Sequence, residues 1–208
     1  MFQMEPADTT TERILDAARA QLEAFGVRRL TVEDVARGAG VARITVYRKF
    51  GSRDGLVQAV VVREAEFFFA QLEAAIGGLP TAPERLTEGF WIALDYLRNH
   101  SLINRLLAIE PESVLPLVTL QGGPLLAAAR ASLANQIGRE VAEGRLPPLD
   151  VDVMAELLTR LVLSFFLTPE TILRLDAPDD AREFARRFLV PVLEGRPAAL
   201  SEPSGEGA

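Results

Sequence analysis

The 208-residue chain contains no cysteine and a single histidine, His100. These shortages exclude disulfides, cysteine nucleophiles, Cys/His zinc constellations and paired-histidine metal helices, so no metal or cofactor is expected. Long apolar runs are also missing. The greasiest stretch, around residues 151–167, is broken by Glu156 and Arg160, short of the roughly 18 apolar residues that a membrane span needs. The first 25 residues hold no basic segment followed by an apolar run, so the expectation is a cytoplasmic protein with no membrane partner. Sustained β-branched alternation is absent, as is a glycine-rich phosphate loop after a strand. Glu110 and Glu112 flank Pro111, but carboxylates beside helix ends read as solvated partners of the helix dipole. Nothing in the sequence desolvates either of them, so acid–base catalysis lacks a site and the chain is not read as an enzyme.

What remains is helical, and the fold class is all-α. "TTTERILDAARAQLEAFG" opens with Thr9 and Glu12 at capping-box spacing and closes at Gly26, with Ile14, Ala17, Ala18, Leu22 and Phe25 along one stripe. Thr31 is placed to cap a short helix carrying Val32, Val35 and Ala36, which runs out at Gly38-Ala39-Gly40. A second short helix over about 43–50 ends at Gly51, and Ser52 caps a long helix over about 53–76. Pro- and Gly-containing turns then separate further helices. Boundaries follow: a flexible N-terminus over 1–9, a helix-turn-helix domain over 10–56, a helical sensing and dimerisation domain over 57–195, and a disordered tail over 196–208.

Charge is unevenly spread. Between Gly26 and Arg53, Arg28, Arg29, Arg37, Arg43, Arg48, Lys49 and Arg53 face only Glu33 and Asp34, a net +5. The rest of the chain must then carry −12, since the whole carries −7. A basic patch on an acidic body suits phosphate binding, although charge alone leaves an ordinary solvated surface open. Helix geometry adds to it. Val46 and Phe50, four apart, share the inner face of the second short helix, while Ile44, Thr45 and Arg48 share the outer one, flanked by Arg43 and Lys49. Such a helix fits a major groove: Arg takes a bidentate hold on guanine, and Ile44 or Thr45 can lay methyl groups on thymine. Tyr47, Lys49 and Arg53 offer donors to phosphate oxygens.

The stretch "TVEDVARGAGVARITVYRKFGSRDGL" resembles the helix-turn-helix signature of the TetR family of bacterial transcriptional regulators, and "ERILDAARAQLEAFG" resembles that family's first helix. The resemblance is specific over about residues 10–60. It implies phosphate contacts from Thr31, Thr45, Tyr47, Lys49 and Arg53, and base contacts from Arg43, Ile44 and Arg48. Two positions depart from the pattern: Ala42 replaces a capping serine, and Gly55 stands where a glutamate often completes the cap begun by Ser52.

Toward the C-terminus, the rows Val153/Leu157/Leu161/Phe165 and Met154/Leu158/Val162/Phe166 make one helix apolar over two faces. "PDDAREFARRFLVPVLEG" adds Phe184, Phe188 and Val192. A symmetric four-helix contact between two copies would bury both helices, with Leu157, Leu161, Phe165, Phe184, Phe188 and Val192 at the interface; an intramolecular core is the alternative. The resemblance favours the homodimer. It further implies a small-molecule pocket among the middle helices, with Phe68, Trp91, Tyr96, His100 and Phe165 as candidate walls and a hydrophobic effector. The reading is a ligand-responsive repressor whose partners are double-stranded operator DNA, a second copy and that effector. The alternative is a helical interaction or sensor module whose helix-turn-helix no longer binds DNA, against which the intact basic face stands.

Overall fold

The computed structural model describes residues 9–195. The tail expected over 196–208, and all but Thr9 of the expected flexible N-terminus, lie outside the described residues. Those described form α1 (Thr9–Phe25), α2 (Val32–Ala39), α3 (Arg43–Phe50), α4 (Arg53–Ile76), α5 (Ala82–Asn99) and α6 (Ser101–Ile109). They continue through α7 (Pro111–Val118), α8 (Gly123–Ala142), α9 (Val151–Leu167), α10 (Pro178–Phe184), a π turn over Ala185–Leu189, and α11 (Val190–Leu193). No strand occurs among the described residues, so the fold is all-α as expected. None of these helices is by itself long and apolar enough to cross a membrane.

Local chemistry sets many of the boundaries. Thr31 caps α2, its Oγ1 accepting from the Asp34 amide at 3.1 Å. Ser52 Oγ accepts from the Gly55 amide at 3.0 Å at the start of α4, and Asp150 accepts from the Val153 amide at 3.1 Å at the start of α9. A reciprocal capping box opens α5, where the Thr81 amide donates to Glu84 at 3.1 Å and the Glu84 amide to Thr81 Oγ1 at 3.3 Å. Thr9, expected to open a capping box, already lies within α1. The C-terminal helix expected as one piece is interrupted. Pro191 cannot donate to the helical ladder and its ring crowds the preceding turn, and the chain immediately before it widens into the π turn, where the Val190 amide reaches back to the Ala185 carbonyl.

Two compact units result, neither continuous in the chain: among the described residues, one takes 9–70 with 97–132, the other 71–96 with 133–195. The first holds a single apolar core built from Ile14, Leu15, Ala18 and Leu22 of α1, Val35 and Ala36 of α2, Val46 of α3, and Leu56, Val57 and Val60 of α4. Leu102 and Leu106 of α6 with Val114 and Leu117 of α7 belong to that same core. Burying each of its valine, leucine and isoleucine side chains stabilises by about 1.5–3 kcal/mol. Phe25, expected on the α1 stripe, instead lies 52% exposed in the last turn, and Leu15 takes the inner place. Of the Phe67–Phe69 run, Phe68 is buried and stacks edge-on with Phe69 at 5.1 Å, while Phe67 faces outward.

The second unit has an aromatic centre, with Phe90 5.5 Å from Phe184 and 6.3 Å from Phe165. An apolar cluster around Ala82, Ile137, Leu146, Ala155 and Leu193 lies in the same unit. Arg182 of α10 holds Glu88 of α5 in a two-pronged ion pair, Nε at 2.6 Å and Nη2 at 2.9 Å. Glu140, buried near the end of α8, receives both Arg85 and Arg145, Arg145 Nε lying 2.7 Å from its Oε2.

Candidate nucleic-acid interface

Helix α3 presents its polar face because its inner face is fixed. Val46 is 1% exposed within the first unit's core and Phe50 is half-buried against it. With those two pointing inward, helical spacing turns Arg43, Ile44, Tyr47, Arg48 and Lys49 to the outside, and all five are exposed. Ile44 stands 72% exposed, an apolar side chain in water on an otherwise basic surface. Thr45 is half-buried at the edge of the same face. Among the described residues Arg48 makes no hydrogen bond or ion pair, which leaves its five donors available.

Arg43 is differently placed. It pairs with Glu33 of α2, and its guanidinium lies 5.6 Å from the centre of the Tyr47 ring. The pair braces α3 against α2, and no local pattern around Glu33 signals its part in it. The turn between the two helices is supported from α1, where Arg13 donates to the Ala39 carbonyl. Gly40 ends α2 in the left-handed region, and Ala42 supplies no side-chain cap to α3. Gly55, the second departure from the family pattern, has a steric cause. A Cβ there would lie 2.3 Å from the Phe50 carbonyl oxygen, so the close approach of α4 to the end of α3 requires glycine.

Two residues expected at phosphates carry structural bonds. Thr31 Oγ1 accepts from the Asp34 amide and donates to Asp34 Oδ2 at 2.7 Å, and that bond, ahead of Arg37, holds the Asp34 carboxyl below its ordinary range. Arg53 directs Nε to the Leu30 carbonyl at 2.9 Å and Nη2 to the Val27 carbonyl. Its third nitrogen lies 3.2 Å from Asp54. The guanidinium thus ties the start of α4 to the α1–α2 loop.

The pocket candidates fall in both units. Phe68 and His100 belong to the first, and Trp91, Tyr96 and Phe165 to the second. His100 caps α6, its Nδ1 accepting from the Ile103 amide at 3.3 Å, and its Nε2 lies 3.5 Å from Glu64 Oε2. Burial pushes its pKa below the ordinary histidine value, against the pull of the Glu64 carboxylate. Both ring nitrogens are therefore engaged in holding α6 and α4 together. Trp91 and Phe165 are half-buried in the aromatic cluster, and Tyr96 is half-buried on α5. A cleft of about 250 Å³ between Phe25, Arg29, Arg105 and Ile109 has none of the five on its wall. A further residue carries no sequence signal: Gln136 on α8, whose buried Nε2 has no hydrogen-bond partner among the described residues.

Known proteins match this arrangement. Residues 14–60 match the family model of bacterial regulatory proteins, tetR family, and residues 82–187 match that of the bacterial tetracyclin repressor, C-terminal domain. The HTH-type transcriptional regulator AlkX of Mycobacterium tuberculosis is 28% identical over 188 residues, covering 88% of this chain and 84% of the relative. The crystal structure of the TetR family repressor AlkX from a Dietzia strain superposes with a TM-score of 0.71 at 26% identity, over 94% of this chain and 99% of that one. The transcriptional repressor QsdR of R. erythropolis shares the fold at a TM-score of 0.70 and 22% identity, over 95% and 100% of the two chains. With both family models matched, the second across half of its length, the chain belongs to the TetR family of bacterial transcriptional regulators.

Proposed function

We propose that this regulator is a homodimeric repressor that reads a palindromic operator through α3 and is released by an apolar effector bearing one hydrogen-bond acceptor. The observation that carries the DNA reading is the outer face of α3, with Ile44 and Arg48 exposed over a buried Val46. Arg48 and Ile44 are assigned to bases. Tyr47, Lys49 and Thr45 are assigned to the phosphates alongside, with Arg43 shared between Glu33 and the DNA. Thr31 and Arg53 serve by holding α2 and the α1–α2 loop.

The test is a titration of operator and random duplex at two salt concentrations. Arg48→Ala is expected to lower operator affinity by about 1–3 kcal/mol while leaving random DNA nearly unchanged. Arg53→Ala is expected to weaken both duplexes and lower the thermal midpoint, with the salt slope unchanged, since it ties a loop and contacts no phosphate. Equal losses on both duplexes for Arg48→Ala would remove that residue from base reading. A salt slope about one unit shallower for Arg53→Ala would restore Arg53 to the phosphates.

Dimerisation is supported by α9, a 17-residue helix rich in leucine and phenylalanine that buries only Ala155 completely. Its Val153 and Leu157 are 53% and 54% exposed; Phe188, within the π turn, and Val192, beyond it, are 42% and 46% exposed. Of the six residues expected at the interface, Leu157, Phe188 and Val192 are free to meet a second copy. Leu161, Phe165 and Phe184 are half-buried within the aromatic cluster and would support that surface from beneath.

For the effector, the Dietzia AlkX repressor is implicated in n-alkane biodegradation, which points to aliphatic compounds. Gln136 supplies the polar element: a buried amide donor without a partner gains from an acceptor on the ligand. Trp91, Tyr96 and Phe165 are the aromatic walls assigned to it. Straight-chain alcohols are accordingly expected to release DNA at lower concentration than alkanes of equal length. Gln136→Leu should remove that preference, and an unchanged preference in the variant would exclude Gln136 from the pocket.

A further inference from the structure

Glu110 is the residue on which the first unit's two halves converge. It is 7% exposed, although it sits between two helix ends where a carboxylate reads as solvated. Its backbone closes one helix and opens the next. The Glu110 amide donates to the Leu106 carbonyl of α6 at 2.8 Å, and its carbonyl accepts from the Ser113 and Val114 amides of α7 at 2.9 and 3.2 Å. Its carboxylate reaches the α1–α2 loop, where Oε2 accepts from the Arg28 amide at 2.9 Å. Room for it is made by Gly26: a Cβ there would lie 2.5 Å from Glu110 Oε1, and φ of +81° is a conformation that glycine adopts without strain.

The loop so held leads straight into the DNA-reading helices. Arg53 grips the Val27 and Leu30 carbonyls. Thr31 then caps α2, and Glu33 of α2 pairs with Arg43 of α3. The Glu110 carboxylate and the Arg53 guanidinium thus hold the same short loop, and the backbone of that loop passes directly into α2, which Glu33 ties to Arg43 of α3. Because Glu110 belongs to the ends of both α6 and α7, any shift or rotation of that junction moves its carboxylate and with it the loop.

We infer that Glu110 is the positioning residue that couples the α6–α7 junction to the DNA-reading helices, through its carboxylate seated on the Arg28 amide in the space left by Gly26. This rests on α3 being the helix that reads DNA. Coupling of this kind is reciprocal, so DNA bound at α3 must alter the stability of the α6–α7 junction. That makes the proposal testable without any effector.

The experiment is amide hydrogen exchange on the full-length protein, with and without a duplex selected from a random library by the wild type. In the wild type, DNA is expected to slow exchange in α2 and α3 and also across residues 104–114. Glu110→Asp keeps the charge but withdraws the oxygens by one methylene. It should bind the duplex about 5- to 10-fold more weakly and lose the response at 104–114, while protection of α2 and α3 persists at saturating DNA. Glu110→Gln keeps an acceptor oxygen at full reach and should restore the response; Glu112, whose carboxylate pairs with the exposed Arg28 side chain, stays unchanged in both variants. A wild type that binds DNA without any change at 104–114 would overturn the coupling. So would an undiminished response in Glu110→Asp, or a failure of Glu110→Gln to restore it. A wild type that selects no duplex would instead overturn the DNA reading itself.

Discussion

Aspartate at both Leu157 and Phe188 is expected to make the protein monomeric and to lower its operator affinity by about 10²–10³-fold. Both side chains are near half exposed in the single copy, although Phe188 lies 5.2 Å from the Phe184 ring, so the substitutions should cost the fold itself only about 1–2 kcal/mol. In a dimer the same positions would lie at the centre of the four-helix contact. There the two copies would bring four desolvated carboxylates together, a cost that a moderate apolar interface cannot offset. The loss on DNA follows from valency. One recognition helix holds one half-site, and the second half-site is gained at high effective concentration only while the copies stay joined. Light scattering gives the mass, and fluorescence anisotropy with a palindromic duplex gives the affinity. A double variant that remains dimeric and binds as before would move the interface away from α9.

The second large effect concerns stability. Glu140→Ala is expected to destabilise the second unit by about 2–4 kcal/mol, read from urea unfolding. The carboxylate is 9% exposed and receives Arg85 and Arg145, so its removal leaves the Arg85 guanidinium without its counter-charge and Arg145 with Glu143 alone. Arg145 is 38% exposed, which places the figure at the lower end of what a broken buried network costs. Glu73→Ala provides the contrast. Its 2.5 Å pair with Arg139 is about half exposed on both sides, and under about 1 kcal/mol is expected there. Acid should report the same group. Hydrogen bonding from Arg145, then the charges of Arg85 and Arg145, hold the Glu140 carboxyl below its ordinary value of 4.5. A depressed folded-state pKa gives stability that is present above 4.5 and lost as pH falls through the lowered value. Wild type and Glu140→Ala should therefore converge in stability only as the pH falls through that lowered value.

How much of this was legible beforehand divides along a physical line. Caps and periodicity act over three or four residues, so Thr31, Ser52, the short α2 and α3 and the inward Val46 could all be read from spacing. The outer face of α3 followed, since fixing Val46 and Phe50 inward turns Ile44 and Arg48 outward. What could not be read is pairing across the chain. Nothing near Arg53 in the sequence signals that its guanidinium meets carbonyls 23 and 26 residues away. Nothing near Glu110 signals a loop 82 residues earlier, and its place between helix ends suggested solvent. His100 shows the same limit: one turn from Tyr96 it looked like a pocket wall, yet its ring is engaged by the Ile103 amide and Glu64. Phe25 fits the α1 stripe by count, but the helix ends one residue later at a glycine with φ of +81°, and the ring is left outside.

The continuity of the first unit's core bears on how such regulators can be rearranged. Sequence order invites a cut near residue 56, as though the DNA-reading part were a cassette that could be grafted onto another sensor. Leu102, Leu106, Val114 and Leu117 fill the same core as Ile14, Leu22, Leu30 and Val46. A graft at that point would remove four side chains' worth of burial, roughly 6–12 kcal/mol before relaxation, which is comparable to the whole stability of a domain. A chimera that preserves DNA reading would need to carry α6 and α7 with the head. A crossover at the end of the helix-turn-helix would instead divide that core between two parents.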